Sequence, residues 1–156
     1  MEISQKVAIL VDGNNIGISA KQIYKKNLML DFDNYIQEIV GERQLSHFFY
    51  FREGTSISKR FSDRLRKNFY GIVIPCYKSA DSVLTINAIQ ICEKVNTIIL
   101  FSGDQDYLSL IRYLKSKGTR VELASFDETT AKILLNEVDY HHQIKKENLF
   151  EFKENF

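Results

Sequence analysis

Four aspartates of this 156-residue chain follow apolar runs that have the composition of buried strands. Asp12 follows VAILV, Asp81 comes shortly after GIVIPCY, and TIILF leads into Ser-Gly-Asp104-Gln-Asp106. Ligands of an open parallel sheet bind outside the carboxyl ends of its strands, near the point where strand order reverses. The sequence therefore predicts that all four carboxylates lie at one edge of a sheet.

Carboxylates held this close together cannot all stay ionised unless cations neutralise them. Oxygen ligands with no His or Cys nearby suit Mg²⁺ or Mn²⁺ better than Zn²⁺. Because Mg²⁺ keeps several waters and also takes phosphate oxygens, such a site is suited to hydrolysis of a phosphodiester by an activated water.

Each acid also has a simpler interpretation. Asp12 precedes a glycine and could form a turn, Asp81 is placed to cap a helix from about Ser82, and Asp104 or Asp106 is placed to cap a helix from about Tyr107. Capping explains neither why two acids precede one helix nor why all four gather at one edge, so the joint interpretation is favoured.

The elements that must position these acids follow from the hydrophobic pattern. Apolar runs predict strands, and amphipathic stretches between them predict helices, of which the stretch at 82–95 is apolar almost all round and is expected to be deeply buried. This alternation predicts a three-layer α/β/α sandwich with a mainly parallel sheet of five to six strands. The predicted strands are 7–11, 45–51, 71–77, 97–101, 120–124 and, more weakly, 140–144; the predicted helices are 32–40, 57–70, 82–95, 108–118 and 129–137.

Composition indicates one globular domain, expected over residues 1–146, followed by a tail at 147–156. The chain is 44% hydrophobic and 26% charged with a net charge of +1, which excludes a disordered chain and a polybasic mode of nucleic-acid binding. No apolar run is long enough for a membrane span, and the start lacks a signal pattern. Cys76 and Cys92 have no metal-binding spacing, so we expect buried thiols, a cytoplasmic location and no membrane partner.

Several sequence motifs of this chain resemble those of a known family. VAILVDGNN at the start and FSGDQDYLSLIRYLKSKGTRV later in the chain are similar to the two signatures of the NYN domains, which belong to the PIN-like nuclease group. Lys78-Ser-Ala-Asp81 resembles the intermediate element of that family, and Val138-Asp139-Tyr140 its last one. The resemblance extends over about residues 6–145.

The resemblance implies a PIN-like fold and a ribonuclease that depends on Mg²⁺ or Mn²⁺, with RNA as its partner and endonucleolytic cleavage as the expected mode. Asp12, Asp81, Asp104 and Asp106 match the acidic catalytic and metal-binding site of the family. Our hypothesis is that Asp12 and Asp104 bind the metal directly, and that Asp81 and Asp106 act through water or help to deprotonate the nucleophile.

Four further polar residues are candidates for contact with substrate. Asn14 and Asn15 match the polar residues after the first aspartate, and Ser102 matches a serine or threonine of the family. Lys78 is a candidate for contact with a substrate phosphate, although a solvated lysine before a helix explains it about as well. The resemblance also leaves a homodimer open, with the phenylalanine-bearing tail as a candidate contact.

One position departs from the family pattern, because Asn87 stands where many relatives carry a further acid. An amide brings no negative charge, so we expect one well-held metal, with a second arriving with substrate. The alternative function is a catalytically weak NYN-like module that binds RNA or a protein partner. A response-regulator receiver domain is disfavoured, since its acidic pair and its lysine after the fifth strand are both missing.

Weaker signals concern nucleic-acid binding. Arg60, Arg64 and Lys67 line up along one side of the helix predicted at 57–70, where they would bind a phosphate backbone through charge; a solvated helix face beside the apolar stripe of Ile57 is the simpler interpretation. Candidates for stacking on an unpaired base are Tyr24, Tyr50, Tyr77 and above all Tyr107. We expect His141 and His142 to be ordinary surface residues and find no support for a Ser–His–Asp arrangement.

Overall fold

The chain folds into a parallel six-stranded sheet with helices on both faces. The computed structural model describes residues 5–54 and 58–151. The sheet strands are β1 (Lys6–Asp12), β3 (Gln44–Glu53), β4 (Ile72–Cys76), β5 (Thr97–Phe101), β6 (Arg120–Ser125) and β7 (Tyr140–Gln143), and a small second sheet is formed by β2 (Leu28–Leu30) and β8 (Leu149–Glu151). The helices are α1 (Gly13–Tyr24), α2 (Phe32–Val40), α3 (Lys59–Phe69), α4 (Ala80–Ile91), α5 (Leu108–Ser116) and α6 (Lys132–Glu137).

The strand order of the large sheet is β4-β3-β1-β5-β6-β7, with every neighbouring pair parallel. From β1 the chain proceeds towards one edge, and from β5 it proceeds towards the other, so strand order reverses between β1 and β5. This confirms the predicted three-layer α/β/α sandwich and places the switch point where two of the acidic motifs lie.

Two apolar cores lie on opposite faces of the sheet. Helices α1, α2 and α3 cover one face, and α4, α5 and α6 cover the other. The central strands are buried on both faces, as the continuous apolar runs VAILV and TIILF predict. Cys76 and Cys92 are buried free thiols, as expected.

Helix α1 was not among the predicted helices. Its sequence GNNIGISAKQIY lacks a strong apolar stripe, because the buried positions include small residues, namely Gly13, Ser19 and Ala20. Small residues bring the helix close to the sheet: a Cβ added at Gly13 would lie 2.4 Å from the Tyr50 ring. The helix is therefore specified by close packing and by its Asp12 cap rather than by periodicity.

The prediction that the stretch at 82–95 is deeply buried is wrong. In α4 one side packs on the sheet through Ala80, Leu84 and Ala88, whereas Ile86 is 55% exposed and Ile89 is 39% exposed. The helix lies on the outer layer of the sandwich, so only one side of it can contact the sheet.

The segment after β7 folds back onto the domain. Leu149–Glu151 pairs antiparallel with Leu28–Leu30, and the Asp31 N–H donates to the Asn148 carbonyl at 2.8 Å. Residues 152–156 of the predicted tail lie outside the described residues, so the boundary at 146 remains a prediction. None of the described helices combines the length and apolarity that a membrane span requires.

Candidate metal centre

Three of the four predicted aspartates converge at the carboxyl edge of the sheet. Asp81, Asp104 and Asp106 each offer a carboxylate oxygen, and these oxygens all lie within 4.8 Å of one another. Asp81 and Asp104 are half-buried, and Asp106 is exposed. Oxygen ligands of one octahedral Mg²⁺ lie roughly 3–4 Å apart, so small side-chain movements would bring this acidic triad onto a single ion.

Local hydrogen bonds hold the triad in place. The Asp104 carboxylate accepts from the Asp106 N–H at 2.9 Å, and the Asp104 N–H donates to the Ser102 hydroxyl at 3.1 Å. The Asp81 N–H donates to the Ser79 hydroxyl at 3.1 Å, so Ser79 caps α4 and Asp81 lies in its first turn. The capping interpretation therefore applies to Asp104 but not to Asp81, whose carboxylate is left for the site.

Asp12 lies beside the triad but is not part of it. It is only 4% exposed, and one carboxylate oxygen accepts from the Asn15 N–H at 3.2 Å while the other accepts from the Tyr107 hydroxyl at 2.8 Å. Burial raises the pKa of Asp12, and repulsion from Asp81 and Glu53 adds to the rise, against the opposing effect of the two hydrogen bonds. The geometry thus favours Asp81, Asp104 and Asp106 over Asp12 as direct ligands.

The proposed stacking role of Tyr107 is wrong, because its side chain is buried. Tyr107 is 1% exposed, and its hydroxyl lies between the carboxylates of Asp12 and Asp81. Burial, followed by the negative charge of Asp12, raises the pKa of Tyr107 well above its ordinary value. Tyr107 therefore stays a neutral hydrogen-bond donor that fixes the orientation of Asp12.

The side-chain oxygens of both asparagines after Asp12 accept hydrogen bonds from neighbouring elements of the site. The Asn14 oxygen accepts from the Glu53 N–H at 2.8 Å, which joins the first turn of α1 to the end of β3. The Asn15 oxygen accepts from the Gly103 N–H at 3.1 Å, which joins the first turn of α1 to the loop after β5. These bonds give both residues a positioning role at the site, and their predicted contact with substrate stays a prediction.

Ser102 cannot contact substrate as predicted, since it is fully buried at 0% exposure. Its hydroxyl instead orients the backbone of Asp104. The following Gly103 passes so close to the turn before α6 that an added Cβ would lie 2.7 Å from the Thr129 carbonyl oxygen. The Ser-Gly-Asp sequence is therefore needed for the path of the chain as well as for its carboxylate.

Asn87 lies on α4, and its amide nitrogen donates to the Val83 carbonyl at 2.8 Å. It is half-buried and does not belong to the triad. With an amide at this position, the described residues provide one metal-binding cluster rather than two.

The predicted basic stripe on α3 is only partly available for ligands. Arg64 is bound to Asp33 of α2 at 2.7 Å, whereas Arg60 and Lys67 are exposed and form no ion pair within the described ranges. Ile57, which the sequence assigned to this helix, lies outside the described residues. Because α3 runs back from the carboxyl edge, Arg60 is near the acidic edge and Lys67 near the opposite one.

Two residues at the end of β3 were missed by the sequence analysis. Glu53 is exposed and close enough to Asp12 to raise its pKa. Arg52 has a buried Nε atom that forms no hydrogen bond to any described residue. The rule used for the other strands, which looks for polar residues after an apolar run, would have found both after the run at 45–51.

A Ser–His–Asp arrangement does occur, contrary to the sequence analysis, but it has no nucleophile that substrate can reach. The Ser125 hydroxyl is 2.9 Å from His141 Nε2, and His141 Nδ1 is 3.5 Å from Asp127. Ser125 is 1% exposed and also bonds Thr130 at 2.6 Å. The arrangement joins β6 to β7, and the prediction that His141 and His142 are ordinary surface residues is wrong, since both are half-buried in hydrogen-bonded contacts.

The chain is similar to a known domain family and to solved structures. The NYN domain family model matches residues 6–145. No curated protein sequence matches the chain. A crystal structure of a protein of unknown function from Vibrio parahaemolyticus is similar over 96% of this chain and 100% of that one, with a TM-score of 0.84 and 22% identity. A T5 5'-exonuclease with divalent metal ions (zinc) bound is similar over 79% of this chain and 56% of its own, with a TM-score of 0.48 and 15% identity. The first similarity supports the fold alone, and the second is too weak to carry an argument.

Proposed function

The chain belongs to the NYN domain family, and from this premise we propose that it is a metal-dependent ribonuclease that hydrolyses RNA phosphodiester bonds. The observation that carries the proposal is the acidic triad, whose three carboxylates lie within 4.8 Å of one another. No Lys, Arg or His nitrogen of the described residues lies within 4.0 Å of any triad carboxylate. The charge of the cluster is therefore left for a divalent cation.

The donor set fits Mg²⁺ or Mn²⁺. All three ligands are hard carboxylate oxygens, and no sulfur or imidazole is part of the cluster. Such an ion, when bound, lowers the pKa of a coordinated water and binds a phosphate oxygen. We assign Asp81, Asp104 and Asp106 to holding it.

The remaining residues position this triad. Tyr107 and Asn15 hold Asp12, and Asn15 also fixes the loop that carries Asp104. Asp12 contributes negative charge behind the triad, where its electrostatic interaction with Asp81 favours a cation. The exposed Asp106 is the carboxylate best placed to accept a proton from the attacking water, since solvent reaches it.

The test is cleavage of labelled RNA by purified protein with Mg²⁺, with Mn²⁺ and with chelator. We expect cleavage that requires the metal and is lost in Asp104→Asn. A circular RNA, which has no ends, separates the two modes: the proposed endonuclease linearises it, and an exonuclease leaves it intact. Tight RNA binding without cleavage by the wild-type protein would contradict the proposal and support the catalytically weak module that Asn87 suggests.

A further inference from the structure

One tyrosine at the acidic edge is almost fully exposed. Tyr77 follows β4 and is 93% exposed, whereas Tyr50 and Tyr107 are buried and Tyr24 is half-buried against Phe126. Exposing a whole aromatic side chain costs free energy, because burial of its apolar surface would be favourable. Because it directly follows the carboxyl end of β4, Tyr77 lies at the same edge of the sheet as the metal centre.

The exposure of Tyr77 is imposed by a backbone held on both sides. The Cys76 carbonyl accepts from the Gly54 N–H at 2.9 Å, which fixes the chain just before Tyr77. Ser79 caps α4, and Ala80 is fully buried, which fixes the chain just after it. Tyr77 therefore stands on a short bend that is anchored at both ends.

Two cationic residues lie near Tyr77, one next to it in the chain and one on the neighbouring strand. Lys78 Nζ is 6.0 Å from the centroid of the Tyr77 ring and is exposed. Arg52 is partly exposed and lies opposite Pro75 in the β3–β4 register, two residues before Tyr77. Cations near an exposed aromatic ring match a phosphate joined to an unpaired base.

We propose that Tyr77, with Arg52 and Lys78, forms a subsite for single-stranded RNA in which one base stacks on the Tyr77 ring and a neighbouring phosphate is bound by the two cations. This inference rests on the proposed function, since it takes RNA as the ligand, and it adds that the ligand is unpaired at this point. A base in a duplex is already stacked between its neighbours and cannot reach the ring without being unpaired.

The test uses a short single-stranded RNA that carries 2-aminopurine, whose fluorescence falls when the base stacks. It is titrated with Asp104→Asn protein in Mg²⁺, so that the strand stays intact, and the fluorescent base is moved along the strand. We expect quenching at one position. Adding Tyr77→Ala should weaken binding about 5- to 150-fold, the range of one base–aromatic stack, and abolish the quenching. Tyr77→Phe should retain both.

Tyr70 provides a matched control, because it is 90% exposed but lies at the C-terminal end of α3, at the opposite edge of the sheet. Its φ of 53° favours asparagine as the replacement, so Tyr70→Asn removes an exposed ring without strain. RNA affinity should not change. Arg52→Gln should reduce the slope of log affinity against log salt by about 0.7, the value for one phosphate of a single strand.

Equal binding by the Tyr77→Ala and Tyr70→Asn proteins, no detectable binding, or tighter binding of duplex RNA would each overturn the subsite. The failure of the two proposals can be distinguished. Metal-dependent cleavage by wild-type protein that persists with unchanged KM in Tyr77→Ala overturns the subsite and leaves the nuclease. Quenching at Tyr77 without any cleavage by wild-type protein overturns the nuclease and leaves the subsite.

Discussion

The single carboxylate of Glu122 and the acidic triad lie at different places around the same sheet, and their negative charges are neutralised in different ways. Glu122 of β6 is 2% exposed and is bonded to Arg43 at 2.7 Å, to Arg120 at 2.9 Å and to His142 at 2.7 Å. The acidic triad at the carboxyl edge has no such partners among the described residues. The protein's own cationic residues neutralise Glu122, whereas the negative charge of the triad is left for a bound cation.

The pKa shifts at the two sites have opposite directions. Three hydrogen-bonded partners, with His142 the largest, lower the pKa of Glu122 despite its burial. At the other edge, burial and neighbouring acids raise the pKa of Asp12. A buried acid paired with cations stabilises the fold, whereas acids that repel one another destabilise it and are expected where a ligand compensates.

The largest expected effect separates activity from stability at the triad. Asp104→Asn should reduce metal-dependent RNA cleavage more than about 100-fold, since a lost ligand exceeds the roughly 10–100-fold typical of its supporting partners. The melting temperature without metal should stay the same or rise, because the change removes a repelling charge and the amide oxygen can still accept from Asp106. A melting temperature that falls by many degrees would show that Asp104 serves the fold.

A smaller effect is expected at Tyr107. Tyr107→Phe removes the hydroxyl that bonds Asp12 but keeps the buried ring. The Mn²⁺ concentration for half-maximal cleavage should rise about 10–100-fold, as for other residues that orient a metal site. The measurement is cleavage rate against Mn²⁺ concentration. An unchanged metal requirement would mean that the hydroxyl does not position the site.

Glu122→Gln is the matched counterpart of Asp104→Asn, since both replace an acid by its amide. It leaves Arg43 and Arg120 without their carboxylate and should lower the free energy of unfolding by about 1–3 kcal/mol, less than for a fully buried pair because both arginines are partly exposed. RNA cleavage by the folded protein should be unchanged. Urea unfolding and the cleavage assay together check this, and a loss of cleavage in folded protein would contradict it.

The same variant gives a pH signature. Because the pKa of Glu122 is lowered on folding, its stabilisation is present above the unfolded value of about 4.5 and is lost as pH falls below that value. Wild-type protein should therefore lose more stability than Glu122→Gln between about pH 5 and pH 3. Thermal melts across this range provide the comparison, and parallel curves for the two proteins would be the contrary result.

The smallest effects are expected on α3. Arg60→Gln should weaken RNA binding a few-fold without changing kcat, because an exposed cation acts through screened charge. Arg64→Gln should weaken RNA binding less, since Arg64 is already bound to Asp33, and should cost at most about 1 kcal/mol of stability. RNA affinity measured at two salt concentrations distinguishes the two variants. Equal losses of affinity would show that the ion pair with Asp33 does not keep Arg64 from binding RNA.

Local patterns made the triad predictable. A short, β-branched apolar run such as TIILF is typical of a strand buried on both faces, and the acids that follow such a strand are expected at the sheet edge. The sequence could not show that the Tyr107 hydroxyl donates a hydrogen bond to Asp12, because these two residues lie 95 positions apart. Helix α1 was not predicted for a similar reason: it also depends on a contact between residues that are distant in the chain, namely Gly13 and the Tyr50 ring.

Soaking crystals of the wild-type protein with Mn²⁺ and measuring anomalous scattering tests the central claim most directly. The account predicts a peak bound by oxygens of Asp81, Asp104 and Asp106, and none at Glu122, whose charge is already neutralised. Absence of a peak at the triad under Mn²⁺ concentrations that support cleavage, or a peak held elsewhere, would contradict it.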